Sequence, residues 1–365
     1  MIKIRNNLIS IRCLTLRSIN PNIPVEFYKD KQTVGKDRAH VDDPESIQKI
    51  IDKLDIKLKY GSNLTIIDTN PGRGIWSTML NYELKPKNHL LLEPSKINQK
   101  MWKKLLESIN SNEENFNLLS SDYAPYSWKS YKLIEEQYNF NKLGFEKEND
   151  ELLVLGNWTG AQDEPTIAQW IGCLGARNWL IKYGRVRILM FMPSKTAGKF
   201  LSEPNFHRRN RTSMKRELFT KSRLIAIGDD TTGSATNKDY IAEGFDPEVM
   251  VRDQPILIPG KGILKNRSIS LVEFIPGDYT IDDIQLIDNN ILSLLYLSNA
   301  TLGETIPKIG PGAEYLLTKL PQHILEKDRH QFSAEDLIKF TKAVEEWPFR
   351  PSLEDTNDLI IPSEY

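Results

Sequence analysis

The chain has 365 residues, of which 39% are hydrophobic and 27% charged, and its formal net charge is −1. That length and composition suit a folded protein with one large domain and a smaller one, and they exclude nucleic-acid binding driven by overall charge. Two cysteines, Cys13 and Cys173, exclude a disulfide framework, no Cys/His cluster has the spacing of a structural zinc site, and the longest apolar run, residues 186–192 interrupted by Arg187, is too short to cross a bilayer.

The amino terminus differs from the remainder of the chain. Lys3, Arg5, Arg12 and Arg17 precede the first acidic residue, Glu26, and Ile4, Leu8 and Ile11 fall at helical spacing. This pattern reads as a mitochondrial presequence over residues 1–20 and places the protein in the mitochondrial matrix; a disordered basic terminus is the alternative. No apolar partner for this stretch is evident.

Ile47, Ile50, Ile51 and Leu54 then predict an amphipathic helix. Beyond it, apolar runs at 64–68, 89–93, 116–119, 152–156, 187–192, 223–227 and 269–274 alternate with helical stretches, among them Ile167, Trp170, Ile171 and Leu174. Runs that are apolar throughout fit strands buried on both faces of a parallel sheet. Strand–helix alternation predicts a doubly wound, Rossmann-like α/β fold over residues 21–278 with a seven-stranded, mostly parallel sheet. Residues 228–262, rich in Gly, Asp, Thr and Pro, read as a long excursion. Helical patterns at 284–297, 315–325 and 334–347 predict a small helical domain over 279–350, and 351–365 reads as a mobile tail.

A nucleoside site is suggested by polar residues at four successive strand ends. Asp68 is followed by Pro71-Gly72-Arg73-Gly74, a turn where missing Cβ atoms let the backbone approach a ligand. Glu93 ends the next strand, where a carboxylate can accept ribose hydroxyls; Asp122 follows the third, in position for an adenine amine; Asn157 follows the fourth. Such positions converge on the crevice at the carboxyl ends of the strands, although ordinary loop polarity would look similar.

The order of these motifs resembles the ribosomal RNA adenine dimethyltransferase family, and more closely its fungal mitochondrial transcription factor B branch. The resemblance is carried by residues 68–74, 91–93, 157–160, 169–173, 178–187, 191–197, 224–229 and 346–351. It implies an S-adenosylmethionine-dependent methyltransferase fold, and it places Val41 where the family's amino-terminal segment closes over the cofactor. Active members carry Asn-x-Pro-Tyr at the fourth strand end: an amide oxygen and a fixed carbonyl hold the adenine amine, and a ring stacks on the extruded base. Here Asn157-Trp158-Thr159-Gly160 retains the Asn and loses the Pro and Tyr. Trp158 either stacks in place of the Tyr or belongs to the core.

The resemblance therefore implies a non-enzymatic factor with no catalytic residue and no required cofactor, S-adenosylmethionine remaining admissible in the inherited pocket. Its partners would be the single-subunit mitochondrial RNA polymerase and promoter DNA, especially the melted non-template strand. The alternative is an active ribosomal RNA adenine N6-dimethyltransferase. A small-molecule methyltransferase is a more distant third. Nucleic-acid contacts are expected from Lys182, Arg185, Lys195, Arg208, Arg209 and Arg211, and from Tyr126 and Trp128 beside the crevice. Solvated charge and loop packing are the plain alternatives for these residues.

Overall fold

The computed structural model describes residues 16–29, 38–109, 115–120, 123–228, 244–265, 267–279, 284–296 and 300–351. The expected presequence lies outside them up to residue 15, as do Asp122 and residues 352–365.

After helix α1 (Val25–Lys29) comes β1 (His40–Val41) and then α2 (Pro44–Leu54), capped by the Asp43 side chain accepting from Ser46 N. The next units are β2 (Thr65–Thr69) with α3 (Ile75–Leu84), β3 (Asn88–Leu92) with α4 (Lys96–Ser108), and β4 (Phe116–Leu118) with α5 (Trp128–Tyr138). They are followed by β5 (Glu148–Asn157) with α6 (Glu164–Ala176), and by β6 (Arg185–Pro193) with the short α7 (Ser194–Phe200) and α8 (Arg211–Phe219). β7 (Thr220–Gly228), α9 (Pro247–Asp253), β8 (Ile256–Ile258), β9 (Ile263–Leu264) and β10 (Ile269–Pro276) complete the α/β part.

The main sheet has the order β4-β3-β2-β5-β6-β10-β7-β8. β4 to β6 are mutually parallel, while β10 runs antiparallel to both β6 and β7. All seven expected strands are present. The eighth, β8, pairs parallel with β7 inside the stretch expected to be an excursion. Three residues between Pro255 and Pro259 are too few to show a period, so this strand had no sequence signal.

The chain builds outward from β2 to β4 and returns to place β5 beside β2, with Thr69 opposite Gly156. That reversal opens a crevice at the carboxyl ends of the two strands. One apolar layer, including Ile50, Ile66, Trp102 and Leu271, packs on one face of the sheet, and another, including Trp158, Ile171, Met190 and Val272, on the other.

The helical part contains α10 (Ile284–Tyr296), α11 (Leu302–Thr305), α12 (Gln322–Leu325) and α13 (Ala334–Glu345). The expected helix over 315–325 is instead a 3-10 turn, Ala313–Thr318, and the short α12, separated at Pro321, which has no N–H to continue a helix. Met214, Leu218 and Phe219 of α8 enter the same core as Ile291, Leu337 and Phe340, so the helical core draws on both sides of residue 279.

Residues 17–20 are held by the fold. Ser18 Oγ donates to Glu83 at 2.8 Å, Ser18 N donates to Gln48 Oε1 at 2.9 Å, and Ile19 is buried in the first apolar layer. The partner that the sequence did not reveal is thus assembled from α2 and α3.

Candidate functional site

The glycine turn after β2 has the expected backbone but is filled by the protein's own side chains. Gly72 and Gly74 have φ of 56° and 78°. A Cβ at Gly72 would overlap the His40 ring, and one at Gly74 would overlap Trp102. Trp102 Nε1 also donates to Gly72 O at 3.1 Å. Asp68 is buried with its carboxylate 3.2 Å from His89 Nε2. Both Glu93 oxygens hold backbone N–H groups, Oε2 from Gly72 and Oε1 from Ser95, each at 2.8 Å. Burial raises the Glu93 carboxyl above its ordinary range, and those two N–H groups pull it back.

The motif at the end of β5 grips the chain itself. Asn157 Nδ2 donates to Ala39 O at 3.0 Å and to His40 Nδ1 at 2.8 Å. Ala39 N donates to Thr159 Oγ1 at 2.8 Å, and Thr159 Oγ1 lies 2.8 Å from Asn157 Oδ1, the shorter of its two acceptor contacts. Only the amide nitrogen can face Ala39 O, which fixes the Asn157 orientation. His40 Nδ1 must then accept, so the imidazole is neutral with its proton on Nε2. Burial first, and then Lys265, Arg38 and Arg73, push the His40 pKa down to about 3. Val41 continues this strap as part of β1, paired with Ile263 of β9.

The amide oxygen that would receive an adenine amine faces the Thr159 hydroxyl, and the Ala39 peptide sits against the motif. Trp158 is 1% exposed and meets Trp170 edge-on at 5.2 Å, so it is a core residue and not a stacking platform. Among His40, Val41, Asp68, Gly74, Asn157 and Phe191 only about 20 Å³ remains. The His40 ring packs directly over Gly72. On the other side of His40 an open cavity of 260 Å³ adjoins this space, lined also by Arg38, Asn70, Glu93, Ser95, Asn98 and Tyr126.

The expected nucleic-acid contacts are dispersed. Tyr126, 65% exposed, rims the outer cavity; Trp128, 46% exposed, has one edge on Trp179 at 6.0 Å. Lys182 pairs with Glu135 and Arg185 with Asp278, both away from the crevice-lining residues. Lys195 is exposed in the first turn of α7. Arg209 corrects the expectation: it is 3% exposed and donates to Ser202 O, Glu217 and Phe332 O, tying the two halves of the molecule together. Arg208 and Arg211 do line a second space, a groove of 660 Å³ that also includes Lys199, His207, Arg329 and His330. No sequence signal placed Arg329 and His330 there, because they lie more than 100 positions along the chain in a short polar loop.

Three comparisons bear on this geometry. The family model for ribosomal RNA adenine dimethylase matches residues 37–337. Mitochondrial transcription factor 1 of Saccharomyces cerevisiae is 32% identical over 85% of this chain and 89% of its own length, and that of Lachancea kluyveri is 29% identical over 83% and 87%. A dimethyladenosine transferase structure from Plasmodium falciparum shares the fold, with TM-score 0.52 and 13% identity over 82% of this chain and 94% of its own. The chain belongs to the ribosomal RNA adenine dimethylase family, on the branch formed with the yeast mitochondrial transcription factors.

Proposed function

We propose that this protein is a mitochondrial transcription initiation factor that joins the single-subunit mitochondrial RNA polymerase, directs it to promoters and stabilises the melted start site. The relationship to the yeast transcription factors gives the functional class. The observation that carries the reading on this chain is the Asn157–Ala39–His40–Thr159 network. A site that binds its own backbone is not a site for turnover, so the factor works without S-adenosylmethionine and without methyl transfer. Its place of action is the mitochondrial matrix.

The fold still offers what a strand-holding protein needs. Tyr126 presents a ring at the mouth of the 260 Å³ cavity, with Arg38 on its wall. An unpaired base stacking on a tyrosine contributes about 1–3 kcal/mol. Because duplex DNA cannot offer that base, the contact favours the open state by its full amount. Arg208 and Arg211 supply backbone contacts, and Trp128, exposed where it meets Trp179, offers a further ring. In this reading Val41, Asp68, Gly72, Gly74, Glu93 and Asn157 are inherited positions that now hold the strap and the turn.

The test is promoter opening. A 2-aminopurine in the non-template strand beside the start site reports unstacking when polymerase and this protein are added together. The expected result is a fluorescence rise that needs both proteins and falls about tenfold in apparent affinity with Tyr126→Ala. A rise with polymerase alone, unaltered by this protein, would contradict the proposal. Tritiated methyl transfer to ribosomal RNA is expected to be at background; transfer dependent on Asn157 would restore the methyltransferase alternative.

A further inference from the structure

The first four cations of the chain fall into two groups. Lys3, Arg5 and Arg12 lie outside the described residues, whereas Arg17 is bound by the fold. Arg17 Nη1 lies 2.7 Å from Asp52 of α2, and its Nε lies 3.3 Å from Glu83 of α3. Ser18, fully buried, bridges the same two helices through Gln48 and Glu83. Gln48 in turn donates to Asp52 at 3.0 Å. Leu16 packs against the first apolar layer, and its carbonyl accepts from Ile19 N at 3.3 Å; Ile19 and Asn20 are buried.

This segment is built around Glu83, whose side chain is 3% exposed. Burial raises the Glu83 carboxyl, but hydrogen bonds from Ser18, Arg17 and Lys57 outweigh it and hold the group below its ordinary range. Without residues 17 and 18 the buried carboxylate would keep Lys57, at 3.3 Å, and Gln48 Oε1 would lose the Ser18 N–H. A leader ending at residue 20 would therefore remove part of the folded structure, and the leader is shorter than the basic composition alone suggests.

Residues 1–14 carry Lys3, Arg5 and Arg12 and no acid, with Ile4, Leu8 and Ile11 at helical spacing. A matrix-negative potential draws such a segment inward. A peptidase that removes it must recognise a cation close to the cut, and Arg12 is the last one before the anchored stretch. Arg12 stands two positions before Leu14, and the Leu14–Thr15 bond joins an apolar side chain to a small hydroxylated one.

We infer that a metal-dependent processing peptidase of the matrix hydrolyses the Leu14–Thr15 bond, guided by Arg12, and that the mature protein begins at Thr15 and keeps residues 16–20 as a clasp over α2 and α3. Water adds across the peptide bond, leaving a carboxylate on Leu14 and an ammonium on Thr15. Loss of Lys3, Arg5 and Arg12 takes the formal net charge from −1 to −4, which isoelectric focusing resolves. The inference rests on the mitochondrial placement proposed above and adds where the leader ends.

The experiment is import of the radiolabelled full chain into isolated, energised mitochondria, with the amino terminus of the protease-protected product read by mass spectrometry. A product beginning at Thr15 is expected, and a metal chelator in the matrix should leave the full-length chain. Arg12→Ala should slow the cut about tenfold, as loss of a charged contact to the peptidase. In the purified full chain, Arg17→Ala combined with Ser18→Ala should lower the melting temperature by about 5 °C. A protected product that is uncut or begins at any other residue would overturn the site, and an unslowed Arg12→Ala would overturn the guidance. Unchanged melting of the double variant would overturn the clasp. A chain that never becomes protected would instead remove the mitochondrial placement itself, so the two failures are told apart.

Discussion

His40 makes the strap a source of acid lability. The unfolded imidazole titrates near the ordinary value of 6.5, whereas the folded one stays neutral down to about 3. Between those values the unfolded chain binds the extra proton, so stability rises with pH and falls on acidification. The contribution is complete above pH 6.5 and is lost progressively as pH falls through that window. At pH 5 the loss is about 2 kcal/mol, at roughly 1.4 kcal/mol per unit below the unfolded value. Urea unfolding at about pH 7.5 and pH 5 reads it directly, and since carboxylates also titrate there, the quantity is the difference between wild type and His40→Phe. The variant leaves Asn157 Nδ2 without its second acceptor and should lose about 1 kcal/mol at neutral pH. It should lose about 2 kcal/mol less than wild type on going to pH 5. Equal losses in the two proteins would refute the claim that a buried neutral His40 bolts the strap in place.

Asn157→Ala should destabilise the protein by about 2–3 kcal/mol in chemical denaturation, because Ala39 O and His40 Nδ1 lose a buried donor; unchanged stability would return Asn157 to the catalytic reading. Gly72→Ala should cost about 2–4 kcal/mol, the sum of a left-handed backbone and overlap with the His40 ring. A normal melting curve would show that the ring does not rest on the turn. Arg209→Ala should cost about 3 kcal/mol by freeing Glu217, Ser202 O and Phe332 O together. Any loss of DNA affinity should then track the unfolded fraction, whereas an affinity loss in a fully folded sample would make Arg209 a direct contact.

The α/β architecture was legible because the central strands are apolar on both faces and carry their signal in every residue. β8 was not, being three residues long at the sheet edge. The crevice was legible as positions and illegible as contents. Asp68, Gly72, Glu93 and Asn157 stand at the strand ends that their spacing implied, but what fills the space comes from Ala39 and His40, about 120 positions before the motif they meet. Sequence spacing cannot report a hydrogen bond of that separation. The same limit explains Arg209, which sits in a basic run that looks solvated and yet reaches Phe332 O in the other half of the molecule. Charge density told where cations are, and only packing told which of them face outward.

If this fold now serves promoter-specific initiation, the protein must change what the polymerase transcribes. Run-off transcription on a linear mitochondrial promoter, with the cognate core polymerase and with residues 17–365 added or withheld, decides the matter. Specific transcripts are expected only in the presence of this protein, with no dependence on S-adenosylmethionine. Transcripts that are indifferent to the protein, together with methyl transfer to ribosomal RNA, would contradict that role.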